Sequence, residues 1–419
     1  MIIEGINTKN FRAFDKTDLK FSKLNLFFGP NNSGKSSILS VLKLLSQTLR
    51  SPDKKIPLLL TDSLVNLGTY KNMVFNNDIE KDIEIRLDFF YLNKRKRKER
   101  TKIELVYSFD KKAQEIILNS CKISGRDNFY IKYNWKKKEH ELLNFCCEGK
   151  KLKGTEKMKR DFKLYNFLPI IFFRDEKRKR GRIIDTFQIN NVLEKIEFIG
   201  PFRSPPQRIY LSSGEVPSGV GIRGDKAVDL LIRYNKNNPK FVDKISAWYK
   251  NAGIASEIKI KEMKDQYFKI MFKHKISDEN ENFEDVGFGC SQVLPILVAG
   301  YGLKGNRILV IEEPEIHLHP KAQAELGDFL KDIVLNGVQT FVETHSEHIL
   351  LRVQSHVAHG KLKSEDVKVF YVYANRQGRK EIVPMSLDNN GFFKEKWPEG
   401  FFPERLEEAE RVAKASIKK

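Results

Sequence analysis

The chain has 419 residues, with 75 Lys and Arg against 55 Asp and Glu, a net charge of +20. An apolar share of 40% excludes wholesale disorder, and the length fits two to three domains. No stretch approaches the ~18 apolar residues of a membrane span, no signal peptide is expected, and four cysteines without a CxxC pair point to a reducing cytoplasm and away from a disulfide framework.

In chain order, residues 1–75 read strand, turn, strand, loop, helix. IIEGINTKNF alternates, LKFSKLNLFFG is a strand ending at Gly29, and helix signals run from Ser36 with Ile38, Leu39, Leu42 and Leu45 on one face. Residues 76–200 change texture. DIEIRLDFFYL, TKIELVYSF and NFYIKYNW read as antiparallel strands, interrupted by the basic stretches Lys94–Lys98, Lys136–Lys138 and Lys177–Arg180, so an inserted β lobe with basic loops is expected. Residues 201–284 form a connector rich in Gly, Pro and Ser, then two helices near Lys226–Tyr234 and Phe241–Tyr249, then a hairpin. Residues 285–375 return to α/β: the strand RILVIEE, a helix over Lys321–Val334, the strand QTFVET, a helix from Glu347 and the strand KVFYVYA. Residues 376–419 are a short C-terminal extension ending in a charged helix from Pro403. No repeat and no heptad array is present.

Gly29-Pro30-Asn31-Asn32-Ser33-Gly34-Lys35-Ser36 matches GxxxxGK[ST], after an apolar strand and at the start of a helix. Glycines let backbone N–H groups turn inward and the helix N-terminus adds a positive dipole end, which together hold phosphate. Lys35 is placed for the β- and γ-phosphates of ATP and Ser36 for Mg²⁺, with Ser37 beside it. Ile308-Leu309-Val310-Ile311 ends in Glu312 and Glu313. Beside the phosphate loop, Glu312 would serve the Mg²⁺ side and Glu313 would orient or deprotonate the attacking water. His317 and His319 have only an HxH spacing, which suits a turn better than zinc. After a further strand, His345 of THS is placed to donate to the γ-phosphate. The charge of +20 fits nucleic-acid contact through the basic loops, DNA or RNA, and equally a lysine-rich composition; charge alone does not choose.

These three motifs in this order resemble the ABC-type ATPases of the SMC and OLD-like group. The resemblance covers roughly residues 1–75 and 285–375 and implies an ABC-type P-loop head of α/β class carrying a mostly antiparallel inserted lobe. It makes GPNNSGKSS the Walker A motif, ILVIEEPE Walker B with the following loop, and THS the switch. It also implies two heads dimerising face to face, each ATP meeting a signature motif of the partner head. Gly289, Ser291 and Gln292 of GFGCSQ stand in that place, departing from LSGGQ, and Glu312 stands where the wider family has Asp. Gln47 falls too early for a Q-loop, and Leu67–Tyr70 takes that place. Arg12 in NFRAF matches a basic position near nucleotide in such heads. FIGPFRSPPQRIY and WPEGFF further resemble the stand-alone ATPases of the Septu and PARIS anti-phage systems, which implies a homodimer or higher homo-oligomer that regulates a separate effector. No Toprim or HNH nuclease pattern is evident, so an HNH or Toprim-type nuclease or a toxin is expected on another chain. The competing expectation is a DNA-binding ATPase of the same group acting directly in repair.

Overall fold

Three short, fully buried segments set the centre of the molecule. LNLFF, ILVIE and QTFVE are buried along their whole length, as strands covered on both faces must be. In this computed structural model the described residues are 2–92, 98–125, 128–134, 136–147, 150–151, 162–174, 181–183, 187–212, 214, 216–273 and 279–397.

The chain opens with β1 (Ile2–Phe11), β2 (Phe14–Lys20), β3 (Leu24–Phe28) and α1 (Lys35–Arg50). The single strand expected over 19–29 is two strands in different sheets. The Asn25 side chain bonds the Ser22 backbone in both directions, at 2.8 and 2.9 Å, and turns the chain between them. Antiparallel strands follow: β4 (Ile83–Leu92), β5 (Lys98–Asp110), β6 (Glu115–Ser124), β7 (Asn128–Asn134) and β8 (Glu139–Cys147). They continue the β2–β1 pair into one sheet of eight strands, ordered β2-β1-β4-β5-β6-β7-β8 with the pair Lys150–Lys151 at the edge. The N-terminal strands and the β lobe are therefore one hydrogen-bonded surface.

The second half supplies α2 (Phe187–Glu194), β9 (Glu197–Ile199), α3 (Ala227–Asn237), α4 (Lys240–Ala252), the hairpin β10 (Glu257–Glu262) and β11 (Tyr267–Lys273), and α5 (Phe288–Gly302). Then come β12 (Ile308–Glu312), α6 (Pro320–Leu335), β13 (Gln339–Glu343), α7 (Glu347–Ala358), β14 (Val367–Ala374) and β15 (Lys380–Met385). A six-stranded sheet runs β9-β12-β13-β3-β14-β15, parallel except for β15. The helices and strands expected between residues 226 and 374 all form. Residues 94–97 of the first basic stretch, the Lys177–Arg180 stretch and the helix from Pro403 lie outside the described residues.

Side-chain alternation divides the core. Leu24, Leu26, Leu309, Ile311 and Val342 face α3–α7, while Phe27, Ile308, Val310, Phe341 and Phe370 face α1 and the eight-stranded sheet. The leucine face of α1 thus fills the space between two sheets. Gln339 joins them directly: its side chain accepts from the Ile3 N–H at 2.8 Å and donates to the Ile3 carbonyl at 2.7 Å. The consequence for function is that β3, β12 and β13 end side by side. In a parallel sheet those carboxyl ends open onto the crevice where ligands bind.

Candidate functional site

β3 ends at Phe28, and the next six residues make the phosphate loop. Gly29 has φ 147°, and a Cβ there would sit 1.9 Å from the Val372 carbonyl oxygen of β14. Gly34 has φ 107° and is pressed against Phe14 and Ala13. Both positions require glycine. Lys35 is buried and spans the loop, donating to the carbonyls of Gly29 at 2.9 Å and Pro30 at 2.8 Å. Burial pushes its pKa down, and Glu343, Glu313 and Glu315 oppose that shift. The Ser33 hydroxyl is buried in the loop with no partner. A polar group in that position calls for an acceptor or donor from a ligand.

β12 and β13 deliver carboxylates at the same level, with Glu312 and Glu343 in register. Their partners differ. Both oxygens of Glu312 receive Lys43 of α1 at 2.6 Å, and each side chain of the pair is 9% exposed. The sequence reading gave Glu312 to the Mg²⁺ side; its carboxylate meets Lys43 instead, because position 43 lies two turns along α1 from the loop, on the face toward the sheet. The residue on Ser36 is Glu343, which accepts the Ser36 hydroxyl at 2.8 Å. The other Glu343 oxygen is buried and unpartnered. Burial, then the neighbouring Glu312, raises the Glu343 pKa to about 7. Nothing in the sequence motif singled this residue out.

Glu313 follows with φ 46°, a left-handed backbone that a non-glycine residue adopts at a cost of about 1–3 kcal/mol. Its N–H bonds the Glu343 carbonyl at 2.7 Å, which holds the turn. Beneath it, the buried Arg203 donates to the carbonyls of Glu312 at 2.8 Å and Glu313 at 3.0 Å. Burial brings the Arg203 pKa down to about 10, against the pull of Glu315, Glu313 and Glu312. Glu315 accepts the backbone N–H of His345 at 2.5 Å, so the acidic turn also fixes the switch segment. The His345 ring is held below its usual pKa by partial withdrawal from water and then by Lys35. A neutral imidazole keeps one N–H to donate.

Arg12, Asn31, Asn32, Ser33, Gly34, Lys35, Ser36, Ser37, Glu313 and His345, all expected from sequence, line one open cavity of about 840 Å³. Glu343, Asn72, Asn77 and Lys380 line it too and were not foreseen. Lys380 reaches the Asn32 carbonyl across a separation of 348 residues, which no local pattern reveals. Arg12 has a left-handed φ of 49° and bonds the Met73 carbonyl through its N–H. Burial lowers its guanidinium pKa. Gln47 is committed elsewhere, its side chain bonding the backbone of Leu59 and Val65 to shape the 59–68 loop.

The signature candidates lie apart from this cavity. Gly289 is packed against its own chain, since a Cβ there would meet the His317 carbonyl oxygen at 2.1 Å. Ser291 is buried and donates to the Phe288 carbonyl at 2.8 Å, and Gln292 is buried with an unpartnered amide nitrogen. The two-histidine segment forms a turn: the His317 ring meets Phe288 edge to face, and His319 caps α6. Lys136–Lys138 occupy an exposed turn between β7 and β8, where Lys137 pairs with Glu141.

The comparisons agree with this geometry. The AAA ATPase domain family (AAA_15) matches residues 1–350. The chain belongs to that family. Among solved structures, this ATPase is similar to an SMC head bound to the C-terminal winged-helix domain of ScpA, at 14% identity and TM-score 0.50, over 93% of this chain and 98% of that one. An SMC head domain from Thermotoga maritima aligns at 12% identity and TM-score 0.42, over 92% of this chain and 99% of that one. No curated protein sequence matches. The fold is that of an ABC-type ATPase head. Among the described residues no helix is long and apolar enough to cross a membrane.

Proposed function

We propose that this chain binds ATP with Mg²⁺ in the 840 Å³ cavity, hydrolyses it, and uses the nucleotide state to regulate a separate effector in prokaryotic antiviral defence. The observation that carries the hydrolytic part is the convergence of loop, acid and imidazole: Lys35, Glu313 and His345 come from three different strand ends and line one cavity. The Ser33 hydroxyl and the second Glu343 oxygen, both buried and unpartnered, fit the phosphate and cation sides of such a ligand. Lys35 and the N–H groups opening α1 hold the phosphates. Glu313 orients and deprotonates water, and His345 donates to the terminal phosphate. Mg²⁺, when bound, neutralises phosphate charge.

Head-to-head dimerisation belongs to the same reading. Phe202, next to Arg203, and Phe288, against His317, are 83% and 51% exposed, so a second head placed there would bury apolar surface. The N-terminus of α5 would then face the partner's nucleotide. ATP-driven closure acts on an effector, nuclease or toxin, only through that effector's unequal affinity for the open and closed states.

The test is a tagged pull-down from the native host, with wild type and Glu313→Gln in ATP, reading partner identity and complex mass. A stoichiometric nuclease or toxin on a multimeric ATPase supports the regulatory reading. A dimer carrying only DNA replaces it with direct action on DNA, and binding should then weaken steeply with salt.

A further inference from the structure

β12 and β13 present two in-register glutamates to the phosphate loop, and the geometry distinguishes them. Glu312 is neutralised through both oxygens by Lys43. Glu343 is 4% exposed, lines the cavity, holds Ser36 through one oxygen, and keeps its second oxygen buried and unpartnered. We propose that Glu343, and not Glu312, is the carboxylate that works with Ser36 on the divalent cation accompanying the nucleotide. The inference rests on the ATP-binding reading above.

The chemistry of the donor set favours it. A serine hydroxyl has one proton and two lone pairs. With its proton directed to Glu343, the Ser36 oxygen offers its lone pairs outward, which is the orientation a hard cation needs. The free Glu343 oxygen adds the carboxylate character that Mg²⁺ and Mn²⁺ prefer. Both Glu312 oxygens already share the Lys43 ammonium, which offsets the charge a cation would draw on, and a buried ammonium left without that partner costs several kcal/mol. The Lys43–Glu312 pair is therefore a fixed strut between α1 and β12, which holds the neighbouring Glu313 turn in place.

The test compares ATP affinity in EDTA with affinity in Mg²⁺ or Mn²⁺, using a fluorescent ATP analogue and the electron paramagnetic resonance of Mn²⁺. In wild type the cation should tighten binding. Glu343→Gln should lose about 10–100-fold of that cation enhancement while its affinity in EDTA stays within about twofold, and Ser36→Ala should lose enhancement in the same way. The paired replacement Lys43→Met with Glu312→Leu removes both charges together and should keep the enhancement and the Mn²⁺ spectrum. Full enhancement in Glu343→Gln, or its loss in the paired replacement, overturns the assignment. If Glu343→Gln does not fold, Glu343→Asp, which shortens the reach by one methylene, should show part of the loss, and undiminished enhancement there overturns the assignment equally. A wild-type protein that binds no ATP in any condition overturns the ATP reading itself, and this inference with it. A wild type that binds ATP more tightly with the cation, beside a Glu343→Gln variant with undiminished enhancement, overturns this inference and leaves the ATP reading standing.

Discussion

The ends of β12 and β13 lie side by side, carry glutamate at the same register, and yet meet different fates. Glu312 is satisfied by a lysine that belongs to the phosphate-loop helix, and its position is fixed before any ligand arrives. Glu343 has one bond to Ser36 and one oxygen without a partner. The difference lies in where counter-charges are stored. A buried charge already paired is costly to separate from its partner, and a buried polar atom without one beside a cavity can take a partner from a ligand.

The largest expected effect tests whether the β12 side carries the chemistry. Glu313→Gln should slow hydrolysis by about 10²–10⁴-fold, the usual worth of a positioned base, with ATP still bound. Hydrolysis at the wild-type rate would remove Glu313 from that role. The strut comes next. Lys43→Met leaves Glu312 buried and unpaired and should lower stability by about 3–5 kcal/mol in urea unfolding, with the Lys43→Met, Glu312→Leu replacement recovering most of it. A Lys43→Met protein as stable as wild type would mean that Glu312 finds another partner, and the contrast between the two strand ends would collapse.

Much of this site was legible in the sequence, for a physical reason. The phosphate loop is local: two glycines at fixed spacing, a lysine and a helix start describe one continuous piece of backbone, and Gly29 and Gly34 indeed hold the φ of 147° and 107° that suits glycine. The same holds for the strand ILVIE, whose apolar run fits its full burial, whereas QTFVE is buried to the same extent with only Phe341 and Val342 apolar. What escaped was pairing across the chain. Lys43 and Glu312 are 269 residues apart, and Lys380 and Asn32 are 348 apart. No short pattern announces such partners. The β lobe shows the same limit at larger scale: its strands were readable from alternation, but their continuity with β1 depends on the pairing of Ile2 with Phe90, which only the fold supplies.

Lys35 feels carboxylates that follow both strands, Glu343 from β13 and Glu313 and Glu315 from the turn after β12. Lys35→Ala should weaken ATP binding by about 10–100-fold, the range of a hydrogen bond to a charged group, measured by titration with the fluorescent analogue. The loop itself should survive, because its shape rests on Gly29 and Gly34. Unchanged affinity would move the phosphates elsewhere and remove the reason for comparing these strand ends at all.

The smallest effect sharpens the β13 side. Ser346 caps α7 by accepting the Ile349 N–H at 3.2 Å and donates its own hydroxyl to Gln323 of α6 at 2.7 Å. Ser346→Ala should cost about 0.5–2 kcal/mol, the worth of a lost helix cap. The segment before it is Glu343-Thr344-His345, pinned on its other side by Glu315. If His345 works from this tether, the variant should also turn over ATP more slowly, by a few-fold at most, while its affinity for ATP in Mg²⁺ holds. Gln323→Leu cuts the same hydroxyl's link to α6 but leaves the cap itself intact, so it should reproduce the turnover loss with less of the stability loss. A stability loss in Ser346→Ala with no change in turnover would show that Glu315 alone suffices to place the histidine, and that the end of β13 is set by the acidic turn of β12 and not by its own helix.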